Sequence, residues 1–307
     1  MDSIVKKTLK ISLAAGLIIG GLYLSFRLFS GLEELKTLNQ KKAAWTQLKN
    51  KVGQDLGRFN GEAAIVIKDL NFNWGLAYRE DKLFPAASLA KIPLMCAVFL
   101  ASSEGRLKLE QPVILRNRDK LAGSGILKDV RPGTFFTVEK LIGLMIYDSD
   151  NTATNILTDL LGLDYSNRAF LALGLKDTRL LRRIADYRLR DRGVENYTSA
   201  RDIACLLEMI YRRRLINRMI SEQCLRILKL QRVNDRIPRD LPAEVTVAHK
   251  TGLERNVCHD AGIIFSPRGN LLVCVLTWHT NPNAAGAKDF IAQVAKDVYD
   301  YAVGADF

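Results

Sequence analysis

No CxxC pair occurs in this 307-residue chain, and its five cysteines (Cys96, Cys205, Cys224, Cys258 and Cys274) and three histidines (His249, His259 and His279) show no metal-ligand spacing. An odd number of thiols in apolar surroundings argues for buried single cysteines rather than a disulfide framework. No metal site and no cofactor motif is expected. The packed, hydrogen-bonded state is the expectation for the histidines. Internal repeats and low-complexity tracts are absent as well. A formal net charge of +12 would suit a polyanion, yet no groove-reading or base-stacking motif accompanies it, so nucleic acid is not an expected partner. Much of the excess lies in two runs, Arg182 to Arg192 and Arg212 to Arg218, which read first as a solvated basic face and second as attraction to an anionic surface. With 48% hydrophobic and 25% charged residues, the chain can bury the core of one large domain without help from metal or disulfide.

Charge is missing altogether from Ile11 to Phe26, with Lys6, Lys7 and Lys10 before the run and Arg27 after it. Leu28 and Phe29 extend the apolar stretch. No A-x-A site closes it, so an uncleaved transmembrane signal anchor is expected over residues 1–30, with the rest of the chain outside the cytoplasm. Residues 31–56 then read as a polar helical stalk, with Leu32, Leu35, Leu38, Trp45, Leu48 and Val52 at helical spacing.

Strand patterns stand at both ends of residues 57–307 and helical patterns between them. Ala63 to Lys68 and Trp74 to Arg79 come first. Helices are expected over Ser88 to Ser103, Val138 to Tyr147, Thr152 to Leu161 and Ser199 to Arg212, with Thr137, Asn151 and Thr198 as caps. Val245 to His249, Asp260 to Phe265 and Leu271 to Trp278 read as strands, before a last helix from Ala285 to Val303. One sheet assembled from distant segments, with an all-helical insertion, follows from that order.

Three short motifs carry the chemistry: Ser88-Leu89-Ala90-Lys91 (SxxK), Ser149-Asp150-Asn151 (SDN) and Lys250-Thr251-Gly252 (KTG). SxxK alone says little, since about one match is expected by chance in such a chain; Ser3 to Lys6 is another. SDN and KTG each arise by chance in roughly one chain in ten or fewer. All three in order, each in fitting local structure, are far rarer. A serine hydroxyl needs an adjacent base before it attacks a carbonyl. Residues three apart in a helix share a face, so Lys91 is placed beside Ser88. Burial and a second cation, Lys250, would lower its pKa. Ser149 is expected to relay a proton, Asn151 to hold Lys91 and a substrate amide, and Lys250 and Thr251 to grip a substrate carboxylate. The KTG strand edge, Gly252 included, would take an acyl-amide substrate as an extra strand, and the amides of Ser88 and Leu253 would form the oxyanion hole.

This motif set resembles the class A β-lactamases and the penicillin-binding D,D-peptidases over about residues 57–307. The resemblance implies an α/β (α+β) fold: a five-stranded antiparallel sheet with flanking helices, beside an all-helical domain, with the site in the cleft between them. Gly123 to Leu127 looks like the loop that precedes SDN in that family. A class A enzyme also carries ExxLN on its omega loop, where the glutamate and asparagine hold the hydrolytic water. The stretch from Arg182 to Thr198 has no such motif. Asp186 in Asp186-Tyr187-Arg188-Leu189-Arg190 is its nearest candidate base, with a salt bridge to the surrounding arginines as the alternative role and Glu195 as a second acid. The arginine expected on the strand after KTG is absent, with Arg255 the nearby substitute. A monomeric serine hydrolase acting on β-lactams is the first expectation. A D,D-peptidase acting on cell-wall stem peptides and a non-hydrolysing β-lactam sensor are the others.

Overall fold

The computed structural model describes residues 2–304, with the side chains of residues 2, 4–6, 8–22, 25, 28 and 32 left outside the description. The chain divides into two compact units, 1–50 and 51–307. The first lies within a long helix, α1 (Asp2–Arg58), whose last turns belong to the second unit. The expected stalk boundary at residue 57 therefore falls inside α1. Among the described residues no helix is long and apolar enough to cross a membrane, and the expected membrane span falls largely on side chains outside the description.

In the second unit, β1 (Glu62–Asp69) and β2 (Trp74–Tyr78) form a hairpin. A two-residue strand β3 (Phe84–Pro85) leads to a 3-10 turn, Ala87–Ala90, and helix α2 (Lys91–Ser103). Short strands β4 (Pro112–Ile114) and β5 (Phe135–Thr137) pair with each other. Helices α3 (Val138–Tyr147), α4 (Asn151–Leu161) and α5 (Leu163–Ala172) follow. A strap carrying the short α6 (Tyr187–Arg190) ends in β6 (Tyr197–Thr198), which pairs with β3. Helices α7 (Ala200–Tyr211) and α8 (Arg218–Leu228), strands β7 (Thr246–Glu254), β8 (Val257–Ser266) and β9 (Gly269–Trp278), and helix α9 (Ala285–Val303) complete the chain.

The antiparallel sheet has the order β2-β1-β9-β8-β7, so the first and last strand groups of the unit meet at β1 and β9, with Ile65 opposite Val275. From Leu271 to Thr277, β9 is buried at every position, which requires cover on both faces. Helices α7 and α9 pack against this part of the sheet. The helical layer is built from α2 to α5 with α8, and Phe99, Leu141, Leu157 and Phe170 are fully buried in its core. The five-stranded sheet with helices matches the expected fold class.

Local chemistry shifted two of the expected caps by one residue. Thr137 does cap α3, accepting from the Lys140 amide at 3.1 Å. The cap of α4 is Asp150, which accepts from the Ala153 amide at 2.8 Å, and the cap of α7 is Ser199. Asn151 is thereby freed for the site. The strand expected to end at His249 continues through KTG, because β8 pairs with it: Lys250 faces Ala261 and Gly252 faces His259. Of the five thiols, Cys205 is exposed, against the expectation of burial, while the other four are buried.

A close contact between β7 and β8 makes the sheet sensitive at Gly262. A Cβ there would collide with that of His249 and lie 2.6 Å from the Ala248 carbonyl oxygen. Gly262→Ala should cost about 1–3 kcal/mol by overpacking. Urea unfolding followed by far-UV circular dichroism checks this, and an unchanged midpoint would contradict it.

Candidate active site

Ser88 occupies the 3-10 turn rather than the first turn of an α-helix. Ala87, just before it, has φ of +44°, and Ser149 has φ of +53°. Both values lie in the left-handed region that residues with a Cβ seldom adopt, which marks a locally enforced geometry. At Ser149 the enforcement is visible. Asp150 accepts from the Leu127 amide at 2.8 Å, and the Asn151 amide donates to the Ser124 carbonyl at 3.1 Å. Gly125 lies so close that a Cβ on it would collide with the Asp150 side chain. The loop Gly123 to Leu127 thus clamps SDN in place.

Three motifs converge on one hydroxyl. Ser149 Oγ donates to Ser88 Oγ at 3.0 Å. It accepts from Lys91 Nζ and from Lys250 Nζ, each at 3.0 Å. Lys91 Nζ also donates to the Ser149 carbonyl at 2.5 Å and to Asn151 Oδ1 at 2.9 Å. Lys250 Nζ donates to the Thr251 carbonyl at 2.8 Å. Sequence spacing placed Lys91 directly beside Ser88; in the structure the hydrogen-bonded route between them runs through Ser149. Burial pushes Lys91 down to about 7, against the opposing charges of Asp150 and Glu254. Lys250 is held well below its usual range by burial and then by the Lys91 charge. Burial thus brings the neutral form of Lys91, which can accept a proton, into the neutral pH range.

The sheet side is tied to the nucleophile by His259. Its Nε2 donates to the Pro85 carbonyl at 2.9 Å, and its Nδ1 accepts from the Thr277 amide at 3.1 Å. Burial holds this ring neutral, with its pKa pushed down to about 4. His249 pairs with Asp260 at 2.9 Å, so both histidines are packed members of the sheet. Leu253 sits on β7, the edge strand of the sheet, and is about half exposed. Arg236, a residue that sequence reasoning missed, is buried beside this strand. Its Nε donates to Cys258 Sγ at 3.0 Å, and its charge helps to depress Lys250. No short motif marks it, because the loop before β7 brings it in from outside the pattern.

The strap between α5 and β6 is closed by a buried ion pair, Arg182 Nη2 to Glu195 Oε1 at 2.6 Å. Asn196 Oδ1 accepts from the Leu181 and Arg182 amides at 2.7 and 2.9 Å, and its carbonyl accepts from Ala86, two residues before Ser88. Arg182 therefore belongs to the interior and not to a solvated basic face. From the other side, Asn155, one turn beyond Asn151 on α4, holds Ile184 by both backbone groups at 2.9 Å. The strap residue fastened nearest to SDN is thus apolar. Asp186 is not drawn into the cluster: it caps α6, accepting from the Leu189 amide at 3.2 Å.

Against this geometry, the model of the Beta-lactamase enzyme family matches residues 46–302. The chain belongs to that family. It is 31% identical to a β-lactamase from Sphaerobacter thermophilus, whose structure covers 84% of this chain and 97% of that chain with a TM-score of 0.77. It is 29% identical to a mutant of PBP-A solved as an acyl-enzyme complex with penicillin G, covering 83% and 96% with a TM-score of 0.75. Among curated proteins, the extended-spectrum β-lactamase PER-1 of Pseudomonas aeruginosa is 28% identical over 236 residues, 71% of this chain and 75% of that protein.

The strap should depend on its ion pair. Arg182→Ala leaves Glu195 buried without its partner and should cost about 3–5 kcal/mol. A fall in the urea midpoint without a change of slope is the expected readout; an unchanged midpoint would mean that the pair is dispensable.

Proposed function

We propose that this member of the family is a serine hydrolase that opens β-lactams through an acyl-enzyme on Ser88. The observation that carries this reading is the Ser149 hydroxyl, shared at 3.0 Å by Ser88, Lys91 and Lys250. Neutral Lys91 draws a proton from Ser149 as Ser149 draws one from Ser88, and Ser88 Oγ attacks the lactam carbonyl. The amides of Ser88 and Leu253 receive the oxyanion. Ser149 then passes a proton to the leaving nitrogen. Arg236 offers a positive charge and Lys250 and Thr251 hydrogen-bond donors for the substrate carboxylate, and Asn151 together with the free edge of β7 holds the side-chain amide, with Gly252 keeping that edge open.

A D,D-peptidase reading uses the same acylation and differs in the fate of the acyl group. The specific observation in its favour is Ile184, an apolar residue where Asn155 fastens the strap to the site. The likeness to PBP-A supports the same reading.

The amino-terminal segment completes the proposal. The uncharged run Ile11 to Phe26 between Lys10 and Arg27 supports a membrane anchor, with the catalytic unit outside the cytoplasm. Full-length protein should then sediment with membranes and be released by detergent but not by high salt; recovery in the soluble fraction would contradict the anchor.

Benzylpenicillin should add its mass to Ser88, seen by intact and peptide mass spectrometry, and Ser88→Ala should abolish both the adduct and nitrocefin turnover. An adduct that persists in Ser88→Ala would overturn the assignment of the nucleophile. The acylation rate should rise with pH through about 7, because Lys91 acts as a base only when neutral and burial has lowered its pKa to that range. A rate that climbs only above pH 9 would contradict Lys91 as the base.

A further inference from the structure

Release of the acyl group from Ser88 needs a base for the attacking water, and the carboxylates around the site are mostly committed elsewhere. Asp150 accepts from two amides in the SDN clamp. Asp260 is shared between His249 and the Ile237 amide. Glu195 is bound to Arg182 and to the Asn196 amide. Asp186 caps α6. Glu254, at the end of β7, differs from all of these. Along a strand, residues two apart share a face, so Lys250, Gly252 and Glu254 project to the same side of the sheet. That side faces the nucleophile: Lys250 reaches Ser149, and a Cβ on Gly252 would lie 3.4 Å from the Cβ of Ala87.

Resting on the acylation of Ser88 proposed above, we infer that Glu254 is the general base for hydrolysis of the acyl-enzyme, supplied by the KTG strand in place of an omega-loop acid. Its side chain is 19% exposed, and its ionic contact is Arg182 Nη2 at 3.5 Å. Arg182 makes its short contacts to Glu195 instead, at 2.6 and 3.1 Å, so Glu254 has a neighbouring cation without being locked to it. The charges that face it are Arg182, Glu195 and Arg190 from the strap and Lys91 from α2. Burial, helped by Glu195, outweighs the two arginines and raises its pKa above the usual glutamate range. Ionised Glu254 takes one proton from water as the water oxygen bonds to the ester carbonyl carbon. The tetrahedral adduct collapses by breaking the bond to Ser88 Oγ, which recovers a proton from the Ser149 and Lys91 chain. Solvent carries the proton from Glu254 back to that chain, so both are restored, and the product leaves as a free acid.

The test compares acylation and deacylation of the full chain by benzylpenicillin, using rapid quench and intact mass spectrometry. Glu254→Gln keeps the shape and removes the base. It should slow deacylation by about 100-fold or more while changing acylation less than about threefold. In the wild type, deacylation should fall as pH drops through a value above that of an ordinary glutamate, since protonated Glu254 accepts nothing; the variant should lack this acid limb. Equal deacylation rates with the same limb overturn the inference. So does a parallel loss of both steps, which marks a structural role, and so does a wild-type adduct that is never released. If no adduct forms on Ser88 at all, the acylation reading fails first and the Glu254 role falls with it, so the two failures are distinct.

Discussion

Two lysine side chains buried in the same cleft, both donating to one serine hydroxyl, set the terms for the rest of this structure. Lys91 and Lys250 are each 0% exposed, and like charges at such separation in a water-poor site cannot both remain fully protonated at neutral pH without large cost. The cost is offset by neutralising Lys91 near pH 7 and by giving each Nζ several acceptors: the Ser149 carbonyl and hydroxyl and Asn151 for one, Ser149 and the Thr251 carbonyl for the other. The lowered pKa of Lys91 is therefore a consequence of packing, and Ser88 stands one hydroxyl away.

Holding that arrangement requires three chain segments to arrive from different parts of the fold. The 3-10 turn comes from between the sheet and the helical layer, SDN from the joint between α3 and α4, and KTG from the edge strand β7. Each is fastened by contacts that carry no chemistry themselves. Gly125 and Asp150 fix the turn at Ser149, His259 ties β8 to Pro85, and Asn196 ties the strap to Ala86. Positive φ at Ala87 and Ser149 shows that the backbone is bent to place both hydroxyls, at a strain of order 1–3 kcal/mol each.

The main strands and helices and the three motifs whose Ser88, Lys91 and Lys250 meet at Ser149 were legible because they rest on local pattern: alternation, helical period and residues three apart. What was not legible depends on contacts across long sequence separations. That Asp150, not Asn151, caps α4 leaves Asn151 free to accept from Lys91 as expected, and patterns place a cap only to within a residue. Arg182 looked like part of a solvated basic run, but its guanidinium turns inward to Glu195 and Glu254. Asp186, the expected omega-loop acid, caps its own helix, and Glu254 lies two residues beyond KTG in a strand whose local pattern stops at His249. Strand extension was set by pairing with β8, which no local window reveals.

Within the shared hydrogen-bond network, burial lowers the pKa of Lys91 to about 7, the range in which the proposed base must work. The most direct measurement is a titration of the Lys91 side-chain resonance by NMR in protein carrying labelled lysine, with Lys91→Arg used for assignment. A titration midpoint near pH 7 is the predicted result. A lysine that stays protonated above pH 9 would contradict it.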